Sequence, residues 1–434
     1  MHTHNGPESS PRNSLETCIE SVCTGDWQMI QLRGRALGPH NIDGDDVDLL
    51  TSPASVKHIL DAACEWVKQG LCHLRINSRR SDKVELSLFS KDGLHKVTLD
   101  LWINLWQLDN GNQCLTFSDC LSFIDVDRTS IQRLPIDLEA CIYLQHLQTK
   151  GRDVANPKAL ARLQFYADGC QQAGSNSISQ NLRDISKAQS ISSQQAKQTF
   201  EHIASTLSLT PRTKIQKIFS KLNTHIWEAR LAAPTKTRLI SIMGCDGAGK
   251  TTLANALRRK MPNITSVFTG KHLYRKSFIH KGAVIFIRPL MFQSRENFDE
   301  KLAPLVYLRA CFGQYLRYWR TSSGITLIDR SIIDFLYLNR KTNHPTFSVF
   351  TFLSKIWGQR MPTIHCIVSY ATIAERKLEI TKVGHAKYNN DMYQHFSQRR
   401  PTDYVAFNNE LSLAESTSAL ASIIATFSAN PNPS

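Results

Sequence analysis

The chain has 434 residues and 41% hydrophobic content with nineteen Phe and seven Trp, which excludes a disordered or fibrous protein and suffices for two or three domain cores. A formal net charge of +15 points to an anionic partner: a nucleotide, a nucleic acid, a phosphorylated glycan or a membrane surface. Eleven cysteines without a CxxC pair exclude a zinc ribbon and a disulfide framework, and fit a reducing, cytoplasmic compartment. Residues 1–14 are polar and show no apolar signal core. The longest membrane-like run, 282–292, is too short to span and carries Arg288, so the chain reads as soluble or peripheral at most.

Residues 15–134 read as a small α/β unit. A strand is expected over 28–33, closed by Gly34, and an acidic stretch from Asp43 to Asp48 runs into a second strand. Val56, Ile59, Leu60, Ala63, Trp66 and Val67 recur at helical spacing, predicting a helix over 55–70. Segments 84–89 and 97–102 alternate like strands, with Asp92-Gly93 as the turn between them. Asp46 and Asp48 lie two apart on a strand and share a face, and Asp100 lies on a later strand that can pair beside them. Three converging carboxylates need a cation to neutralise them, and Mg²⁺ on a triphosphate is a common one. Here the sequence resembles the minimal nucleotidyltransferase superfamily, with Gly34, Asp46, Asp48 and Asp100 at its glycine and Asp-x-Asp positions. The resemblance implies a metal-dependent nucleotidyl transfer with Asp46, Asp48 and Asp100 as metal ligands. Gly34 departs from it in being followed by Arg35. The other reading is a solvated acidic loop with an ordinary surface carboxylate.

Residues 135–234 read as a helical connector. From 135 to 169 the pattern is helical, and between Gln171 and Gln198 half of the residues are Ser or Gln, which predicts a flexible or loosely helical link. A further helix is expected over 214–230.

The strongest motif follows. An apolar strand from Arg238 runs into Gly244-x-x-x-x-Gly249-Lys250-Thr251 and then into a helix, the order a phosphate cradle needs. Its backbone N–H groups (Gly244, Asp246, Gly247, Ala248, Gly249) and the helix N-terminus would hold a triphosphate. Lys250 would reach the β/γ-phosphates, the Thr251 hydroxyl would ligate Mg²⁺, and Thr252 completes the loop. A strand over 264–269, a helix over 302–320 and a strand ending in Asp329-Arg330-Ser331 come next, then a core strand over 364–369 and a helix over 371–380 bearing Arg376. This set, across residues 235–430, resembles the thymidylate kinase family and implies an α/β P-loop fold with a parallel sheet flanked by helices.

The resemblance implies an ATP- and Mg²⁺-dependent phosphotransferase. Asp246 then contacts an acceptor hydroxyl, Lys250 and Thr251 serve the phosphates and metal, and Asp329 and Arg330 position acceptor and metal. Arg376 matches the first lid arginine. The acceptor loop departs from the family's: it reads Thr269-Gly-Lys-His-Leu-Tyr-Arg-Lys-Ser277, with Arg288-Pro289 later and Asp334 after the Asp-Arg-Ser motif. These features look more like divergent thymidylate-kinase-like proteins of settings such as bacterial surface-polysaccharide synthesis. The acceptor is therefore expected to be a small anionic molecule: a nucleotide, a sugar or a polysaccharide-related substrate. Between Lys271 and Lys341 there are thirteen Lys or Arg against five Asp or Glu, with His272, Arg275, Lys276 and Arg288 as nearest candidates for it. Tyr307, Tyr315, Tyr318 and Trp319 read as helix core, so nucleic acid is not an expected partner, while a homodimer stays open. Two rival readings stay open as well, the nucleotidyltransferase and a non-catalytic, NTP-gated regulator.

Overall fold

The computed structural model describes residues 11–33, 37–38, 46–78, 82–109, 112–123, 131–149, 151–211, 213–215, 218, 237–268, 285, 324–329, 362–376, 380–398 and 402–428. The chain opens with α1 (Pro11–Thr24), β1 (Met29–Arg33), β2 (Val47–Thr51), α2 (Pro53–Lys68), β3 (His73–Ser78), β4 (Lys83–Phe89) and β5 (Lys96–Trp102). Helix α2 starts where Pro53 sets the first helical φ and the Ser52 side chain accepts from the Ser55 N–H. It buries the predicted stripe from Val56 to Val67 against the sheet. Between β4 and β5, Gly93 has φ +72 and lies so close to the Ala419 backbone that a Cβ would sit 2.7 Å from its carbonyl oxygen. A side chain there would push a distant helix off the hairpin.

Next come β6 (Asn104–Leu108), β7 (Gln113–Thr116), β8 (Gln132–Arg133), α3 (Ile136–Thr149), α4 (Pro157–Gln172), α5 (Asn176–Ala188), α6 (Ser193–Thr206) and β9 (Thr210–Pro211). The Ser/Gln-rich stretch, expected to be a flexible or loosely helical link, is two packed helices. Leu182, Ile185, Ala196, Thr199 and Ile203 are buried at helical spacing, while much of the Ser and Gln faces water. A capping box at Ser192 and Gln195 starts α6, and the buried Gln145 donates to Ala196 O at 2.7 Å, pinning α6 to α3.

The last part comprises β10 (Thr237–Met243), α7 (Lys250–Lys260), β11 (Ile264–Phe268), β12 (Gly324–Asp329), β13 (Thr363–Ile367), α8 (Tyr370–Arg376), α9 (Lys382–Gln398), β14 (Thr402–Asn408) and α10 (Leu413–Ser428). Strands β11, β12, β10, β13 and β14 form a parallel sheet in that order, consistent with the expected P-loop arrangement. The helix expected over 302–320 lies outside the described residues.

The sheet does not stop at β14. That strand pairs antiparallel with β3, so the order runs on through β3, β4, β5, β2, β1 and β8 into one eleven-stranded sheet. One hydrophobic cluster accompanies it from Leu15 to Phe427. The seam carries specific chemistry. Arg75 makes a bidentate pair with Asp403 at 2.8 and 2.9 Å and lies 4.3 Å over the Phe427 ring. His73 stacks on Phe407 at 4.3 Å, and Asn408 donates to Val67 O at 2.9 Å.

Two predictions concern this seam. Asp403→Ala leaves the buried Arg75 charge unpaired and should cost about 3 kcal/mol in urea unfolding, with the Arg75→Met/Asp403→Leu double variant recovering much of the loss. His73 accepts from the Asn408 N–H at Nδ1, so its proton is on Nε2, facing Lys91 O. Burial lowers its pKa to about 4, and a second proton would face an N–H donor. The unfolded chain therefore binds this proton first, so stability is intact above about pH 6.5 and falls towards pH 4. His73→Gln should flatten that fall in urea midpoints; an unchanged pH slope would contradict it.

Candidate functional site

Strand β10 lies between β12 and β13 with Ile240 to Met243 buried, and the chain leaves it at the carboxyl edge of the sheet. There Gly244, Gly247 and Gly249 all have positive φ, as the turning loop requires. At Gly244 a Cβ would meet the Cys366 carbonyl oxygen at 2.7 Å, and at Gly249, with φ +79, it would meet Asn409 Nδ2 at 2.8 Å and lie 3.6 Å from Arg376 Nη1. The loop delivers Lys250 to the start of α7, where it is 6% exposed. Its ammonium donates to Gly244 O and Cys245 O at 2.7 Å each, with Asp246 Oδ1 at 3.9 Å.

Thr251 donates its hydroxyl to Asp329 Oδ2. The contact follows from register, since Asp329 ends β12 opposite Ile242 of β10 and is buried. A hydroxyl touching a carboxylate is an all-oxygen donor pair suited to a hard cation such as Mg²⁺. The inward-facing loop and Lys250 suit phosphate oxygens. The residues present fit a Mg²⁺-triphosphate.

Arg376 ends α8 beside the loop. Two residues absent from the sequence reading hold this corner. Asn409 donates from its side chain to Ala248 O and from its backbone to Ile367 O, both at 2.8 Å. Glu410 accepts from Ser369 N and from Thr372 Oγ1, fixing the start of α8. Both follow β14, and no local motif marks them. Thr252 lies exposed on α7. Arg330, Asp334, His272, Arg275, Lys276 and Arg288 lie outside the described residues, as do Gly34 and Arg35.

Of the three N-terminal carboxylates, Asp48 and Asp100 meet, in company the sequence did not indicate, while Asp46 lies just before β2 rather than on it. Strands β2 and β5 are parallel with Asp48 opposite Asp100, on one face. A bulge between Gln31 and Arg33 turns Arg33 to that face, where its Nε donates to Asp48 Oδ2 at 2.6 Å. Trp102 Nε1 donates to the other Asp48 oxygen at 2.9 Å. Lys83 pairs with Asp100 and lies 5.0 Å over the Trp102 ring. Burial opposes Asp48 ionisation, yet Arg33 outweighs it and holds the carboxyl well below the usual carboxylate range. Burial pushes Asp100 up to about 7, against Lys83 and with the help of Asp48.

Asp46 is exposed and, with Asp48 and Asp100, lines a cavity of about 440 Å³. Among the described residues no group of three His, Cys, Asp or Glu is placed to hold a metal. Asp48 and Asp100 are held by protein cations, Arg33 and Lys83. Among the described residues every cysteine is a free thiol, and no helix is long and apolar enough to cross a membrane.

Gly249→Ala tests the loop. Strain at positive φ plus the Asn409 clash should lower stability by about 1–2 kcal/mol or more, read as a lower thermal midpoint. Asn409→Ala in the same chain should recover part of it.

No protein-family model matches the chain, and no curated protein matches it. Among solved structures, thymidylate kinase from Candida albicans is similar at 17% identity over 44% of this chain and 92% of that one, with a TM-score of 0.32. Thymidylate kinase from Ehrlichia chaffeensis is similar at 14% identity over 44% of this chain and 99% of that one, with a TM-score of 0.28. Likenesses this distant say nothing of activity.

Proposed function

We propose that the protein is an ATP-dependent phosphotransferase whose phosphoryl donor sits on the 244–252 loop. One observation carries the reading: Lys250, the Thr251–Asp329 pair and Arg376 converge on a glycine loop at the carboxyl edge of a parallel sheet. Chemistry at such a site is positioning plus charge stabilisation, because phosphoryl transfer asks for little covalent help. Lys250 leaves its two loop carbonyls for the β- and γ-phosphates. Thr251 and Asp329 would hold Mg²⁺, which would neutralise charge between those phosphates. Arg376, on a short helix anchored by Glu410, lies where a cation can stabilise the transferring group. Asp246, at the loop's mouth, aligns the acceptor, which in this reading is a small anionic nucleotide, sugar or polysaccharide-related molecule.

Lys250→Ala should reduce ADP formation from MgATP by roughly 10²-fold or more, across an acceptor panel of nucleoside monophosphates and sugar phosphates, with an unchanged circular dichroism spectrum. Chelation of Mg²⁺ should have the same effect. Arg376→Ala should lower kcat with little change in thermal midpoint, since the side chain is exposed. ATP consumption that survives Lys250→Ala would refute the assignment.

A further inference from the structure

We propose that the N-terminal cavity binds a small, hydroxyl-bearing phosphate ester, taken up without a divalent cation. Its floor is the sheet face built from β1, β2, β4 and β5, and its wall is α3, α4 and the turn between them. At about 440 Å³ it matches a small metabolite. Three cations from the wall, Arg152, Lys158 and Arg162, join Arg33 and Lys83 in the lining, against four aspartates. Arg152 and Lys158 are exposed, and Arg162 lies 5.3 Å over the Tyr143 ring, which holds its guanidinium at the wall. Cations gathered from one helix–turn–helix corner are suited to one phosphate.

The floor supplies the complementary chemistry. Asp48 has both oxygens engaged by Arg33 and Trp102. Asp100 gives one oxygen to Lys83, and its Oδ1 has no hydrogen-bond partner. Asp46 is exposed at the mouth. Carboxylates beside a phosphate-binding wall accept from ligand hydroxyls. A Mg²⁺ ion would have to displace Arg33 from a 2.6 Å charge-assisted bond and Lys83 from Asp100, so the two floor carboxylates are already neutralised. The ligand is a different molecule from the one on the 244–252 loop. Strands β10 and β5 are five positions apart in the sheet, about 24 Å at the usual strand spacing, too far for one small ligand.

Occupancy of this cavity is independent of phosphoryl transfer at the 244–252 loop. Calorimetric titration of the full chain with ribose 5-phosphate in EDTA should give binding that persists in Lys250→Ala. Arg152→Ala/Lys158→Ala should weaken that binding about tenfold or more with an unchanged thermal midpoint, both side chains being exposed. Asp46→Ala should weaken ribose 5-phosphate while leaving inorganic phosphate unaffected. AMP in place of ribose 5-phosphate distinguishes a nucleotide from a sugar phosphate as the ligand. Absence of binding, binding that appears only with Mg²⁺, or equal affinity in the Arg152/Lys158 double variant would overturn the proposal.

Discussion

The antiparallel pairing of β14 with β3 is the interaction on which the rest of the molecule depends. Without it there would be two sheets, each with an exposed edge strand, and two smaller cores. With it, Asn77 to Ser78 and Leu74 to Ile76 lie against Thr402 to Ala406, and apolar residues from both units fall into one cluster. The pair Arg75–Asp403 and the His73–Phe407 stack make this pairing specific in register. A one-residue slip would turn every seam side chain to the wrong face.

Strand β14 also ties the seam to the phosphate loop. Its start carries Asp403, paired with Arg75, and the residue after its end, Asn409, holds the Ala248 carbonyl. A displacement of β14 therefore moves the loop's support directly. On the other side of the seam, register sets a polar row across the sheet: Asp403 opposite Asn77, Asn77 opposite Glu85, Glu85 opposite Asp100, and Asp100 opposite Asp48. Directly opposed residues share a face, so this row runs from the seam to the N-terminal cavity. Asn77 donates to Glu85 within it, at 3.3 Å.

The two charged sites solve the same electrostatic problem with different means. At the loop, one buried lysine rests on backbone carbonyls and one carboxylate meets a hydroxyl. In the cavity, buried carboxylates are matched by an arginine and a lysine at short range, with Asp100 Oδ1 left without a hydrogen-bond partner. Breaking either pair by removing one partner would strand a buried charge.

The geometry of the 244–252 loop was legible in the sequence because its residues are contiguous. Glycines, lysine and threonine at fixed offsets between an apolar strand and a helix specify the turn and its donors by local geometry alone. The α2 stripe and the β4–β5 hairpin were legible for the same reason, since periodicities of 3.6 and 2 are local properties. The shared face of Asp48 and Asp100 was legible too, but their neutralisation was not. It depends on a bulge that turns Arg33 over and on Lys83 arriving from a third strand. The helices of the Ser/Gln-rich stretch were open to the sequence, but their tight packing was not, because composition hid a sparse apolar face that only α3 and α4 make worth burying. Asn409 and Glu410 carried no motif, since their role comes from where β14 ends. The sequence by itself determined the local turn of the 244–252 loop and the strands that carry Asp48 and Asp100. Only the tertiary structure decided that both lie on one sheet, because the seam pairs residues more than three hundred positions apart, and which cations face the carboxylates, because a bulge and strand pairing bring Arg33 and Lys83 to that face.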